Sequence, residues 1–248
     1  MGVYVRTSKL VATWGEKMNG WFNTNFQAEV CMIFMLCNAA VGSVIAPTAS
    51  YAQTAPIRVV AFGDSLTAGY RLQANAAFPS QLHRALAGEG YDVEVINAGV
   101  SGDTTAAGLE RFDWAIPDNT DAVILELGAN DALRGIDPAV ARRNLDTILQ
   151  RLRARNIEVL IAGMKAPRNF GQDYVARFDA IFPDLAQAHG ALLYPFFLDG
   201  VALQQDLILD DGLHPNTKGV AAIVRRITPA VEELIARVKA KRAPVIKG

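Results

Sequence analysis

Cysteine is almost missing from this chain of 248 residues: Cys31 and Cys37 are the two present, both near its start. If the first 52 residues are removed, the remainder has no disulfide, no thiol nucleophile and no cysteine metal ligand, and its core supplies the stability alone. An excess of one charge sign is also missing. The formal net charge is −1, which provides no basic field for a nucleic-acid backbone. The turn from Gly63 to Gly69 lacks the Gly-Lys-Ser/Thr ending of a phosphate-binding loop, and no G-x-G-x-x-G follows the first strand. The G-x-S-x-G elbow of the α/β-hydrolases is absent as well. Histidine is scarce, limited to His83, His189 and His214.

The first fifty or so residues differ from the rest. Val30 to Ala46 is almost continuously apolar, and Ser50-Tyr51-Ala52 has the small-x-small form that a signal peptidase accepts. We expect residues 1–52 to be a leading segment and signal peptide, cut after Ala52, and residues 53–248 to form a single periplasmic or secreted domain. The alternative is a membrane anchor over residues 30–46, since roughly 17 apolar residues is the lower limit for a bilayer span. No basic stop-transfer cluster follows the run, which favours cleavage. Against cleavage, the segment before it is long, and Arg6, Lys9 and Lys17 are offset by Glu16 and Glu29. The mature chain keeps 21 basic and 23 acidic residues. It is long enough to bury its own core, so a monomer without a stable protein partner is expected.

Beyond residue 52 the pattern alternates strand and helix. Strands are expected at 57–62, 91–97, 121–127, 157–162 and 191–194, several of them near-continuous apolar runs of the kind covered on both faces. Apolar residues at helical spacing mark 77–88 and a long helix begun by Asp137-Pro138, where Ala141, Leu145, Ile148, Leu149 and Leu152 form one face. A helix is also expected around 106–112. A further one over 173–188 is expected to break at Pro183, and a last one over 216–238 to kink at Pro229. The basic tail from Lys239 reads as a frayed, solvated end. Alternation of this kind gives an α/β fold: a three-layer α/β/α sandwich around a mostly parallel five-stranded sheet. Ligand-binding residues then gather beyond the carboxyl ends of the strands.

Ser65 lies at such an end, in Gly63-Asp64-Ser65-Leu66-Thr67-Ala68-Gly69. A serine attacks an acyl carbon when a base removes its proton, and imidazole suits that task near neutral pH. His83 falls within a helix and His189 beside a strand start, where an exposed or capping role is expected. His214 sits in a polar turn with Asp211 three residues earlier, a spacing that lets the carboxylate curl back to the ring. Donors for a developing oxyanion are available after the second and third strands: the backbone N–H of Gly102 and the side-chain amide of Asn130, with the Ser65 N–H as a third. Taken singly, Gly102 reads as a positive-φ turn residue and Asn130 as a cap; their shared placement favours catalysis. Asp64 and Asp103 are expected to make structural hydrogen bonds that tune the site.

Four blocks in order carry a resemblance: Phe62 to Gly69, Asn97 to Thr105, Leu127-Gly128-Ala129-Asn130-Asp131, and Asp211 to Asn216. On these the chain resembles the SGNH hydrolases, also called the GDSL lipase and esterase family, most closely the bacterial periplasmic group of arylesterases, acyl-CoA thioesterases and lysophospholipases. The resemblance implies the flavodoxin-like SGNH hydrolase fold, a nucleophile at Ser65, oxyanion donors at Gly102 and Asn130, and an Asp211–His214 pair. No metal or organic cofactor is implied. The substrate implied is a small ester, thioester or lysophospholipid, with the membrane at most its source. Ala129 stands where many relatives have glycine.

Residues 163–171 look like that group's mobile substrate-side loop, and Phe170, Phe196 and Phe197, with Leu203 and Leu207, are candidates for lining an acyl groove. Apolar residues in this number also simply complete a core. Three other readings stand beside the esterase: a carbohydrate-ester deacetylase of the same fold, a metal-dependent hydrolase using Asp64, Asp103, Asp131 and His214, and a non-catalytic lipid- or carbohydrate-binding module using Phe170 and Tyr174.

Overall fold

The computed structural model describes residues 55–243; the apolar run at 30–46 and the cleavage site lie outside them. Five strands form one fully parallel sheet in the order β2-β1-β3-β4-β5. They are β1 (Ile57–Gly63), β2 (Val93–Gly99), β3 (Ala122–Glu126), β4 (Glu158–Ala162) and β5 (Leu192–Tyr194). The strand reading holds, with β2 displaced two residues towards its carboxyl end. Val59, Val60, Ala61 and Phe62 of β1 and Ala122 to Ile124 of β3 are wholly inaccessible, as central strands covered on both faces must be.

Helices α2 (Phe78–Gly88) and α9 (Thr217–Arg242) pack together on one face of the sheet. On the other lie α3 (Thr105–Glu110), α6 (Pro138–Ala154) and α8 (Ile181–His189), with α7 (Gln172–Asp179) against α6 and α8. Asp137 caps α6 by accepting from Ala139 N, Pro138 opens it, and the expected apolar face is buried. Each fully buried leucine there contributes about 1.5–3 kcal/mol. The expected helix over 173–188 is two, and they meet at Ala180, just ahead of Pro183. Pro183 occupies the first turn of α8, where its missing N–H costs little.

Pro229 lies inside α9, which runs from Thr217 to Arg242 without restarting there. Two expectations change. The tail is not frayed at its start: Lys241 pairs with Glu158, and the Arg242 guanidinium donates to Asp121 Oδ2 at 2.6 Å and to the carbonyl of Ala55 at 2.7 Å. His189 is neither exposed nor a simple cap, because its Nε2 meets Asp146 Oδ1 of α6 at 2.6 Å. No helix among the described residues is long and apolar enough to cross a membrane.

Candidate active site

β1 lies between β2 and β3, and each of the three releases a turn at its carboxyl end; register places Gly63, Gly99 and Glu126 in one row across the sheet. Two of these must be small. A Cβ on Gly63 would lie 2.2 Å from Thr67 Oγ1 and 2.5 Å from the Glu126 carbonyl, and one on Gly99 would lie 2.3 Å from Ala68 N. The chain therefore turns sharply off β1 into α1 (Ser65–Ala68), a single turn capped by Asp64, whose Oδ1 accepts from Leu66 N, and ended by Gly69 in the left-handed region. Ser65 is the first helical residue, just beyond the carboxyl end of β1, and it is mostly buried.

The last turn before α9 comes to meet it. His214 Nε2 lies 2.9 Å from Ser65 Oγ, and His214 Nδ1 lies 2.8 Å from Asp211 Oδ2. The other oxygen of Asp211 accepts from the backbone N–H of Leu213 at 2.9 Å and of His214 at 3.0 Å. Burial acts to raise the Asp211 carboxyl, but these N–H donors and the His214 ring outweigh it and hold it down at about 2. The turn is fastened from both sides. Asn216 caps α9 through Lys218 N and Gly219 N and donates to the Asp206 carbonyl. Tyr70, just past α1, lies over the His214 ring at a centroid distance of 4.4 Å, and Arg71 pairs with Asp210.

Gly102 sits at φ +88° in the turn after β2, its carbonyl held by Arg134 at 2.8 Å, and its N–H has no partner among the described residues. Asn130 lies in the first turn of α5 (Ala129–Leu133), a short helix absent from the sequence reading. Its Nδ2 donates to Asp64 Oδ2 at 3.1 Å and to the Asp103 carbonyl at 2.9 Å. The structure thus brings Ser65, Asp211 and His214 into direct contact and places Asn130 on Asp64, the residue that precedes Ser65. Gly102 remains a free donor on the neighbouring turn.

A polar layer beneath these turns was only partly legible. Arg111, between α3 and α4 (Phe112–Ala115), is buried; it pairs with Asp103, donates to the Gly63 carbonyl at 2.8 Å and lies 4.3 Å from the Phe62 ring centroid. Asp131 accepts from the N–H and hydroxyl of Thr105 at 2.8 and 2.6 Å, tying the turn after β3 to the one after β2. Glu126, missed entirely, is fully buried at the end of β3; the signal was a lone carboxyl inside the apolar stretch Ala122 to Leu127. Asp64, Asp103, Asp131 and His214 face separate partners, and no group of three or more potential metal ligands gathers among the described residues.

The three phenylalanines separate. Phe197 is wholly inaccessible, edge-on to Phe78 at 5.0 Å, so it belongs to the core and its expected role in a substrate groove is corrected. Phe196 is half-buried beneath Lys165, whose Nζ lies 5.0 Å from the ring centroid. Phe170 is exposed beside Tyr174, with Gly135 close by. A cavity of about 470 Å³ lies at the opposite end of the sheet, against Ile157, Glu158, His189, Ala191 and Lys241, and is no part of this site.

Comparison with known proteins points to one family. The model of the GDSL-like Lipase/Acylhydrolase family matches residues 61–222. Esterase TesA of Pseudomonas aeruginosa is 35% identical over 184 residues, covering 74% of this chain and 92% of that protein. The Escherichia coli K12 protein named thioesterase 1/protease 1/lysophospholipase L1 is 41% identical over 155 residues, 62% of this chain and 73% of its own. The crystal structure of AlinE4, an SGNH-hydrolase family esterase, is 47% identical and superposes with a TM-score of 0.61 over 72% of this chain and 96% of its own.

Proposed function

The chain belongs to the GDSL-like lipase/acylhydrolase family and is a carboxylic ester hydrolase; we propose that it works through an acyl-enzyme on Ser65. The observation that carries the reading is the unbroken chain of hydrogen bonds from Ser65 Oγ to His214 to Asp211, at 2.9 and 2.8 Å. His214 takes the Ser65 proton as the hydroxyl attacks the carbonyl carbon. Asp211, ionised throughout the working range, fixes the tautomer and stabilises the imidazolium. The Gly102 N–H receives the oxyanion, and the Asn130 amide joins it by turning one N–H away from the Asp103 carbonyl. His214 then protonates the leaving alcohol or thiol, and returns as base for the water that frees the acid. No step needs a metal or organic cofactor.

Thioesters and lysophospholipids join simple esters as proposed substrates, supported by the name of the Escherichia coli relative. An apolar rim also supports them: Tyr70, Leu133, Phe170 and Leu213 are exposed large hydrophobic residues on the elements around the triad. Residues 1–52 are proposed to direct export and to be removed, leaving 53–248 as the catalytic domain, monomeric and without a stable partner. The test is hydrolysis of para-nitrophenyl esters of two to sixteen carbons by residues 53–248, beside Ser65→Ala and with chelator. Turnover that vanishes in the variant and ignores chelator is expected. Equal turnover in Ser65→Ala overturns the assignment, and chelator sensitivity with it returns the metal-dependent reading.

A further inference from the structure

Two carboxyl groups that the mechanism leaves unused lie directly beneath the nucleophile. Asp64 is wholly inaccessible and accepts at both oxygens: Oδ1 from Leu66 N at 3.0 Å, Oδ2 from Asn130 Nδ2 at 3.1 Å. A carboxylate suits this best, because protonation gives up part of one oxygen's acceptor capacity to an O–H and an amide has a donor in that place. Glu126 is equally inaccessible but uses one oxygen only. Its Oε2 accepts from Thr67 Oγ1 at 2.7 Å and from Asp64 N at 3.3 Å, while Oε1 has no partner among the described residues. A proton on Oε1 therefore costs Glu126 no bond, whereas a charge there would face Asp64 without a counterion.

Resting on the Ser65 reading above, we propose that Asp64 and Glu126 are a split positioning pair: Glu126 holds the nucleophile turn as a neutral acid, and Asp64, as the anion, aims the Asn130 amide. The electrostatics of the two carboxyls agree with the geometry. Burial pushes the Asp64 carboxyl up to about 6, and burial followed by the Asp64 charge raises Glu126 well above the carboxylate range. Environments that drive two neighbouring carboxyls apart assign them different states. The other groups facing Asp64 are His214, whose positive form favours the anion, and Asp103, which opposes it; Arg111, which neutralises Asp103, lies against the same turn.

The consequence is an acid limb controlled by two protons. Activity requires a neutral His214 base and an ionised Asp64, so the acid limb of kcat/KM carries a second proton and its logarithmic slope approaches two. In Asp64→Asn the limb falls with a slope of one, and kcat drops about tenfold or more with KM little changed, approaching the roughly 10²–10³ loss of an oxyanion donor. Glu126→Ala lowers kcat and Glu126→Gln, whose amide presents one acceptor to Thr67 and Asp64 N, rescues it while keeping the two-proton limb. A readout without turnover keeps this separate from the Ser65 assignment. At pH 7 the infrared difference between wild type and Glu126→Gln should contain a protonated-carboxyl stretch, whether or not Ser65→Ala is inactive. Absence of that band, a Glu126→Gln enzyme as poor as Glu126→Ala, or a wild-type limb of slope one overturns the pair.

Discussion

Asp64 puts stability and activity in opposition at a single residue. Its carboxyl titrates at about 6 in the folded protein against 3.8 unfolded, so the folded state holds its proton longer, and ionisation costs stability progressively as pH rises through that window. The shift corresponds to an order of 3 kcal/mol. Asp64→Asn removes the cost, so its melting temperature is expected to gain on wild type between pH 4 and pH 8 while its turnover falls. A gap that stays constant with pH would show that Asp64 does not titrate there. The aromatic side chains give a second contrast. Phe197→Ala opens a cavity in the core and should cost about 3–5 kcal/mol in denaturant unfolding. Phe170→Ala should leave the unfolding midpoint nearly unchanged and alter acyl chain-length preference; unchanged preference removes Phe170 from the substrate surface. Sequence alone gave no means of separating these two phenylalanines, because burial is decided by what a neighbouring helix brings, here Phe78 of α2.

At the scale of elements, legibility followed length and local chemistry. The long helix α6 was readable because its cap, its first-turn proline and its apolar stripe agree. The central strands were readable because a doubly covered strand admits little but apolar residues. The meeting of Ser65, His214 and Asp211 was readable from the placement of Ser65 and the Asp211–His214 spacing. By contrast α4 and α5, with four and five residues, lie far below the length at which a helix is stable by itself. They exist because Asp131 and Arg111 fasten neighbouring turns together, a tertiary cause that no local pattern carries. Glu126 escaped for the same reason, since its meaning depends on Thr67 and the Asp64 N–H from another element. Two predictions follow at this scale. Asn216→Ala removes the cap of α9 and should cost about 1 kcal/mol, with a fall in kcat, because the same amide holds the loop that leads to His214. Gly63→Ala should fold poorly or not at all, its methyl competing with Thr67 and the Glu126 carbonyl; a fully active, stable variant would show that the β1 turn has slack the packing does not display.

Over the whole molecule, the sheet order places β1, which leads to Ser65, between β2 and β3, which lead to Gly102 and Asn130, and the His214 turn meets them from the far end of the chain. Residues separated by 149 positions meet across a single hydrogen bond, so the site forms only once the domain is complete. Arg242 adds a different consequence. Its guanidinium reaches the carbonyl of Ala55 at 2.7 Å and that of Pro56 at 3.3 Å, so the beginning and end of the described domain are neighbours. A short flexible linker can therefore join them, and new termini can be opened in a distant surface turn. A circular permutant cut near Asp118, remote from Ser65, His214 and Asp211, should keep its ester turnover.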